Sequence, residues 1–190
     1  MTEPRVLDAT EALAAAKGVR LVLLDVDGVL TDGRLFLSDS GEELKVFHSR
    51  DGHGIKMLLA TGVGVGLVTG RHSQAVQHRA RDLGITIVVQ GCRDKRAAVE
   101  RLLEEHNVMA HEVAFMGDDV IDLPAMESVG LAVAVADAHP LVRARAQWVT
   151  EQKGGHGAVR AFCELVMHAQ GTLEHQLGCA YRGECPWAGG

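Results

Sequence analysis

The chain has 190 residues, of which 47% are hydrophobic and 23% charged, with a formal net charge of −6. That length and balance suit one globular domain with its own core and exclude a disordered chain. The negative charge and the 4% aromatic content argue against a general nucleic-acid or anionic-membrane binder; a locally positive pocket for a small anion stays open.

No uninterrupted apolar run nears the ~18 residues that span a bilayer. The opening stretch, MTEPRVLDATEALAAAKGVR, carries Glu3, Asp8 and Glu11 and has no apolar signal core, so the cytoplasm is the expected compartment. Cys92, Cys163, Cys179 and Cys185 match no strong zinc spacing and read as free thiols of a reducing compartment.

Short apolar runs alternate with helical patterns along the chain. Strands are expected at Leu21–Leu24, Val65–Val68, Ile85–Val89, Val113–Met116, Leu131–Val135 and Trp148–Val149. Helices are expected near 52–61, 72–83, 94–106, 119–128, 139–146 and 156–170, the first weakened by Gly52 and Gly54. Apolar strands separated by helices predict an α/β fold, a doubly wound, Rossmann-like parallel sheet covered on both sides. The alternation breaks after Leu30. There RLFLSDSGEELKVF, residues 34–47, reads as a protruding β-hairpin with Gly41 at its turn. Leu35, Leu37, Leu44 and Val46 need cover there, which points to an assembly arm rather than a surface ornament. The organisation predicted is one domain over 1–170 and a C-terminal tail over 171–190, partly disordered.

In open α/β sheets, ligands bind beyond the carboxyl ends of the strands. The chemistry-bearing residues of this chain collect there: Asp25 and Asp27 in LVLLDVDGVLTDG, then Thr69, Gly70 and Arg71, then Lys95, then Asp118, Asp119 and Asp122 in GDDVID. Asp25 and Asp118 brought together repel unless a hard cation lies between them, and Mg²⁺ accepts carboxylates, water and phosphate oxygens. Thr69 and the backbone N–H groups after Asp27 suit phosphoryl oxygens, and Lys95 suits a phosphate or an ionised carboxylate. The inventory fits phosphoryl transfer, in which a carboxylate can itself be the nucleophile. A response-regulator receiver has its acidic pair after strand one, its phosphoacceptor after strand three and its Thr and Lys after later strands, whereas here Thr69 and Lys95 come before the second acidic group; the P-loop pattern is absent. Gly62-Val63-Gly64-Val65-Gly66 precedes a strand instead of following one, so it is loop and not a dinucleotide fingerprint. His53 and His72 read as surface or packing residues; Met109, Met116, Met126 and Met167 read as core filling.

DVDGVLTDG, TGR, Lys95 and GDDVID, in that order, resemble the four-motif pattern of the haloacid-dehalogenase-like phosphatases, over most of residues 20–170. The resemblance implies that Asp25 is the nucleophile and a Mg²⁺ ligand. It implies that Asp27 is the general acid and then the base for water, its backbone carbonyl also touching the metal. Thr69 and Lys95 would bind phosphate and Asp118 would complete the metal site. Asp119 and Asp122 then support the ligands, or answer a helix N-terminal charge preference, instead of ligating directly. An acid at position 27 suits phosphate-ester hydrolysis, because an alkoxide leaves poorly without a proton.

Neither 31–50 nor 71–95 has room for the cap domain common in that superfamily. KVFHSRDGHGIK, VTGRHS, LGITIVVQGCRDK, GLAVAVADAHP and GGHGAVR are similar to the capless 3-deoxy-D-manno-octulosonate 8-phosphate phosphatases. That similarity implies a homotetramer joined through its hairpins, neighbours that help close each site, and a phosphorylated eight-carbon sugar acid of lipopolysaccharide synthesis as substrate. Arg50, Lys56, Arg71 and Arg160 could match the substrate carboxylate. Ala161 stands where the relatives are expected to carry Glu. A nine-carbon keto-sugar acid phosphate, or a non-catalytic tetramerisation role, are the competing readings.

Overall fold

LVLL becomes strand β1 (Leu21–Leu24), with all four side chains buried. In the computed structural model, which describes residues 9–185, β1 sits near the middle of a six-stranded sheet. The other members are β4 (Gly64–Val68), β5 (Ile87–Val89), β6 (Val113–Gly117), β7 (Leu131–Ala134) and β8 (Trp148–Val149). Their order is β5-β4-β1-β6-β7-β8, and every pairing is parallel. From β1 the chain winds outward through β4 to β5, then returns to β6 on the opposite side of β1. The cleft between β1 and β6 is therefore the topological switch point, where α/β folds bind ligands.

Helices α1 (Ala9–Ala16), α2 (Ser49–Ala60) and α7 (Ala158–Ala169) pack together. With them go α3 (Gln74–Leu83), α4 (Lys95–His106), α5 (Leu123–Met126), α6 (Pro140–Arg145) and α8 (Leu173–Arg182). The core joins both layers and includes Leu23, Leu24, Leu67, Phe115, Met116, Leu131, Phe162 and Met167, all essentially inaccessible. Between β1 and α2 stands only the hairpin of β2 (Phe36–Leu37) and β3 (Glu43–Leu44). Gly41 sits at its turn with φ +83°, as the sequence requires. No cap domain intervenes among the described residues.

Several expectations need correction. Helix α2 starts at Ser49, and Gly52 and Gly54 lie within it as sites of close approach. A Cβ on Gly54 would stand 2.8 Å from Arg160 Cδ and 3.1 Å from its Cα, so the glycine is what lets α2 meet α7. Residues 119–128 form a 3₁₀ turn, Val120–Asp122, and then the single-turn α5, because Pro124 suits only the start of a helix. The 171–190 tail is helical over Leu173–Arg182 and buries Gln176; residues 186–190 lie outside the described residues. Helix α1 has no counterpart among the helices expected from the sequence. Met109 is 64% exposed and is no core residue, whereas Met116, Met126 and Met167 are buried.

Asp51 ties α2 to α7. It is buried, and its carboxylate accepts hydrogen bonds from the backbone N–H groups of Gly157 (3.2 Å) and Arg160 (2.8 Å), capping α7 from a neighbouring helix. Burial pushes the Asp51 carboxyl above its usual range, against those two bonds. Just ahead of α7, Gly155 N–H donates to Val29 O at 2.9 Å, so the loop before α7 braces the turn after β1. Gly54→Ala should force α2 and α7 apart and destabilise the fold by about 1–3 kcal/mol, read as a lower midpoint in thermal unfolding followed by circular dichroism.

Candidate active site

Strand pairing brings the first and last acidic motifs together. Leu24 is in register with Met116, and Asp25 N–H continues the ladder to Met116 O at 3.0 Å. Asp25 and Asp118 thus leave adjacent strand ends on the same side of the sheet. Gly28 completes the approach. With φ +89° it turns the chain back beneath the Asp118 carboxylate, and a Cβ there would collide with both carboxylate oxygens.

Lys95 arrives from the first turn of α4, whose start is capped by Asp94 accepting from Ala97 N–H at 3.1 Å. The Lys95 ammonium is buried. It lies 2.9 Å from Asp25 Oδ1 and donates to Asp122 Oδ1 at 2.5 Å. The other oxygen of Asp122 accepts from the N–H groups of Asp118 (3.0 Å) and Asp119 (3.2 Å). Asp122 is fully buried and already satisfied, so it is a brace that fixes Lys95 and the Asp118 backbone. Asp119 is exposed and caps the 3₁₀ turn through Val120 N–H at 2.7 Å, which is the helix-start role.

Charge balance shows what the cluster still needs. Asp25, Asp118 and Asp122 each place an oxygen within 4.8 Å of the others, and of the described residues only Lys95 sits among them as a cation. Burial, and then Asp122, raise the Asp25 carboxyl to about 6, against the pull of Lys95. Burial, with Asp25, Asp122 and Asp119 adding repulsion, raises Asp118 to about 8. Burial alone would depress the Lys95 ammonium, yet Asp25 and Asp122 outweigh it and hold it above its ordinary value. Asp118 Oδ1 is buried with no hydrogen-bond partner. An orphaned, hard oxygen amid surplus negative charge fits a small divalent cation such as Mg²⁺.

The remaining candidate residues divide into two groups. Buried Thr69 directly follows β4, its hydroxyl oxygen accepting from Arg71 N–H at 3.3 Å across Gly70. The Arg71 guanidinium reaches Glu43 of the hairpin at 2.5 Å and stands 3.9 Å from Asp27 Oδ2. Arg50 and Arg160, by contrast, line a separate hollow of about 340 Å³ with Gln152, His156 and Glu164. Arg160 is held by Glu164 at 2.6 Å and by His53 Nδ1 at 3.2 Å, so its charge is already matched. A hollow of about 600 Å³ beside Leu21 and Gly64 opens at the opposite ends of the strands, away from the carboxylates.

The structure also adds two residues outside the four phosphatase motifs, Glu43 and Lys45. Lys45 pairs with the Asp27 carboxylate and, at 2.6 Å, with Glu43. Their signal was present in the alternation of Glu43, Leu44, Lys45 and Val46, in which the charged residues share one face of a strand.

A family model for haloacid dehalogenase-like hydrolases matches residues 85–162. The chain is 48% identical to the 3-deoxy-D-manno-octulosonate 8-phosphate phosphatase of Escherichia coli K12, over 90% of each protein. The chain belongs to the haloacid dehalogenase-like hydrolases. Among solved structures, this hydrolase is similar to the 3-deoxy-D-manno-octulosonate 8-phosphate phosphatase of Yersinia pestis: TM-score 0.85, 46% identity, 86% of this chain and 89% of that one covered. It is also similar to the Moraxella catarrhalis phosphatase of that name, solved with a magnesium ion, a phosphate ion and KDO: TM-score 0.88, 34% identity, 90% and 98% covered.

Proton competition should govern metal binding by this hydrolase. Asp118 at about 8 and Asp25 at about 6 must both be ionised to accept a cation, so binding releases protons and tightens as pH rises. The Mg²⁺ dissociation constant should weaken about tenfold for each pH unit lost between 8 and 6, measured by calorimetric titration in buffers of different ionisation enthalpy.

Proposed function

We propose that the chain is a Mg²⁺-dependent phosphomonoester hydrolase that releases phosphate from a phosphorylated sugar acid, 3-deoxy-D-manno-octulosonate 8-phosphate. The observation that carries this reading is Asp25, 2.9 Å from Lys95 and beside the buried, unpartnered Oδ1 of Asp118. Support for the substrate comes from relatives of that name matched over 90% of both chains.

Asp25 is the nucleophile. One of its carboxylate oxygens bonds to phosphorus while the ester P–O bond breaks, and the departing oxygen takes a proton from Asp27. A water then attacks the phosphorus of the aspartyl phosphate and gives its proton to Asp27, the P–O bond to Asp25 breaks, and phosphate leaves. Lys95 balances the charge of Asp25 and of the phosphoryl oxygens, and the Thr69 hydroxyl and backbone N–H groups beyond Asp27 hold those oxygens. When bound, Mg²⁺ held by Asp25 and Asp118 neutralises phosphoryl charge. We assign the substrate carboxylate to Arg71 at the rim, whose planar fork can take a second carboxylate beside Glu43.

The assembly we propose is a homotetramer formed through the hairpins. Its support is the outward apolar row of the hairpin, with Leu44 67% and Val46 64% exposed. The compartment we propose is the cytoplasm; no helix among the described residues is long and apolar enough to cross a membrane, and the cysteines are free thiols.

Phosphate release should be measured across sugar phosphates and sugar-acid phosphates. The sugar acid should give the highest kcat/KM, and equal activity on plain hexose phosphates would defeat the substrate assignment. Asp25→Asn should lower the rate by about 10³-fold or more without loss of fold; an undiminished rate would exclude it as nucleophile. Leu44→Asp with Val46→Asp should shift the mass seen by light scattering toward the monomer.

A further inference from the structure

We infer that Lys45 is a positioning residue for Asp27: it fixes one carboxylate oxygen and leaves the other free to deliver the proton. The inference rests on the acid–base role of Asp27 proposed above. Residues 43–47 alternate with inverted polarity. Leu44 and Val46 face outward, while the Lys45 side chain is only 2% exposed. Sinking an ammonium is costly unless carboxylates meet it. Two do so here, Asp27 through Oδ1 and Glu43 through Oε1 at 2.6 Å. Glu43 is anchored in turn by Arg71 at 2.5 Å, so Lys45 is held from a second side.

The other Asp27 oxygen is treated differently. Oδ2 is buried and accepts no hydrogen bond, with Arg71 Nε at 3.9 Å. In the first half-reaction the Asp25–phosphorus bond forms, the ester P–O bond breaks, and the proton passes from Asp27 to the leaving oxygen. That transfer leaves a negative charge on Asp27. Lys45 meets it through Oδ1 with a donor placed before the reaction, so little reorganisation is required. The benefit is confined to leaving groups that need a proton. A p-nitrophenolate departs without one.

The test compares kcat/KM, which reports only the half-reaction that expels the leaving group, for three substrates. These are the sugar-acid phosphate, glucose 6-phosphate as an alkyl ester without a carboxylate, and p-nitrophenyl phosphate. Lys45→Met should lose roughly 10- to 100-fold on both alkyl esters relative to the aryl ester, the worth of one charge-assisted hydrogen bond. Lys45→Arg, which keeps the donor and the charge, should recover part of that loss, with light scattering and thermal unfolding showing both variants intact. An equal loss on all three substrates would reduce Lys45 to a structural role and overturn the inference. A loss confined to the sugar acid would make Lys45 a reader of the substrate carboxylate, and would overturn it too. Asp27→Asn is the control. If it shows no alkyl-over-aryl loss, the acid role of Asp27 itself falls; if it does and Lys45→Met does not, only the positioning claim falls.

Discussion

Everything at the rim of this sheet follows from carboxylates that would otherwise repel one another. Asp25 and Asp118 leave adjacent parallel strands, and Asp122 folds in beneath them. Removal from water raises the cost of ionising Asp25 and Asp118, and the neighbouring carboxylates raise it further. Lys95 offsets part of that charge, while Asp122 spends its own oxygens holding Lys95 and the Asp118 backbone. What remains is one orphaned oxygen and surplus negative charge. A protein keeps such an arrangement at a strand end when it needs a cation and an electrophile there, not when it needs stability.

Holding that arrangement occupies much of the fold. The turn after β1 is pinned by Gly155 N–H, and the loop carrying Gly155 leads into α7. Helix α7 is capped by Asp51 of α2 and approached closely through Gly54. Each contact is ordinary alone. Together they form a continuous path of packed backbone from two helices to the motif that carries Asp25 and Asp27. Rigid support of this kind is what lets a few carboxylates act at defined separations.

The hairpin has two faces with different work. Its outward row is apolar and more than half exposed at Leu37, Leu44 and Val46. Its inward row brings Glu43 and Lys45 to Asp27 and Arg71. A strand that hides its charges and shows its apolar residues reverses the usual pattern for a surface ribbon. The inward charges meet a charged site, while the outward apolar side chains stay exposed to solvent. The short hairpin stands where a cap would be, and its inward row reaches Asp27 directly.

Much was legible from residue order alone. Apolar runs of four or five separated by helical periods specify a parallel sheet, because only buried strands stay apolar on both faces. The order of Asp25, Asp27, Thr69, Lys95 and Asp118 at successive strand ends specifies the site, because those ends converge at the switch point. Gly41 announced its turn by its chemistry. Helix α2 forms where the sequence places it but starts three residues earlier, because glycine propensity is local while the value of Gly54 lies in the room it leaves for Arg160. Only the tertiary structure decided that Asp122 braces Lys95, that Arg160 belongs to Glu164 and His53, and that Lys45 meets Asp27. Apart from the i,i+4 pair of Arg160 with Glu164, those pairings join residues far apart in the chain, across 18 positions for Lys45 and 107 for His53. Sequence spacing says which face a charge occupies; which opposite charge it finds there depends on how separate elements pack.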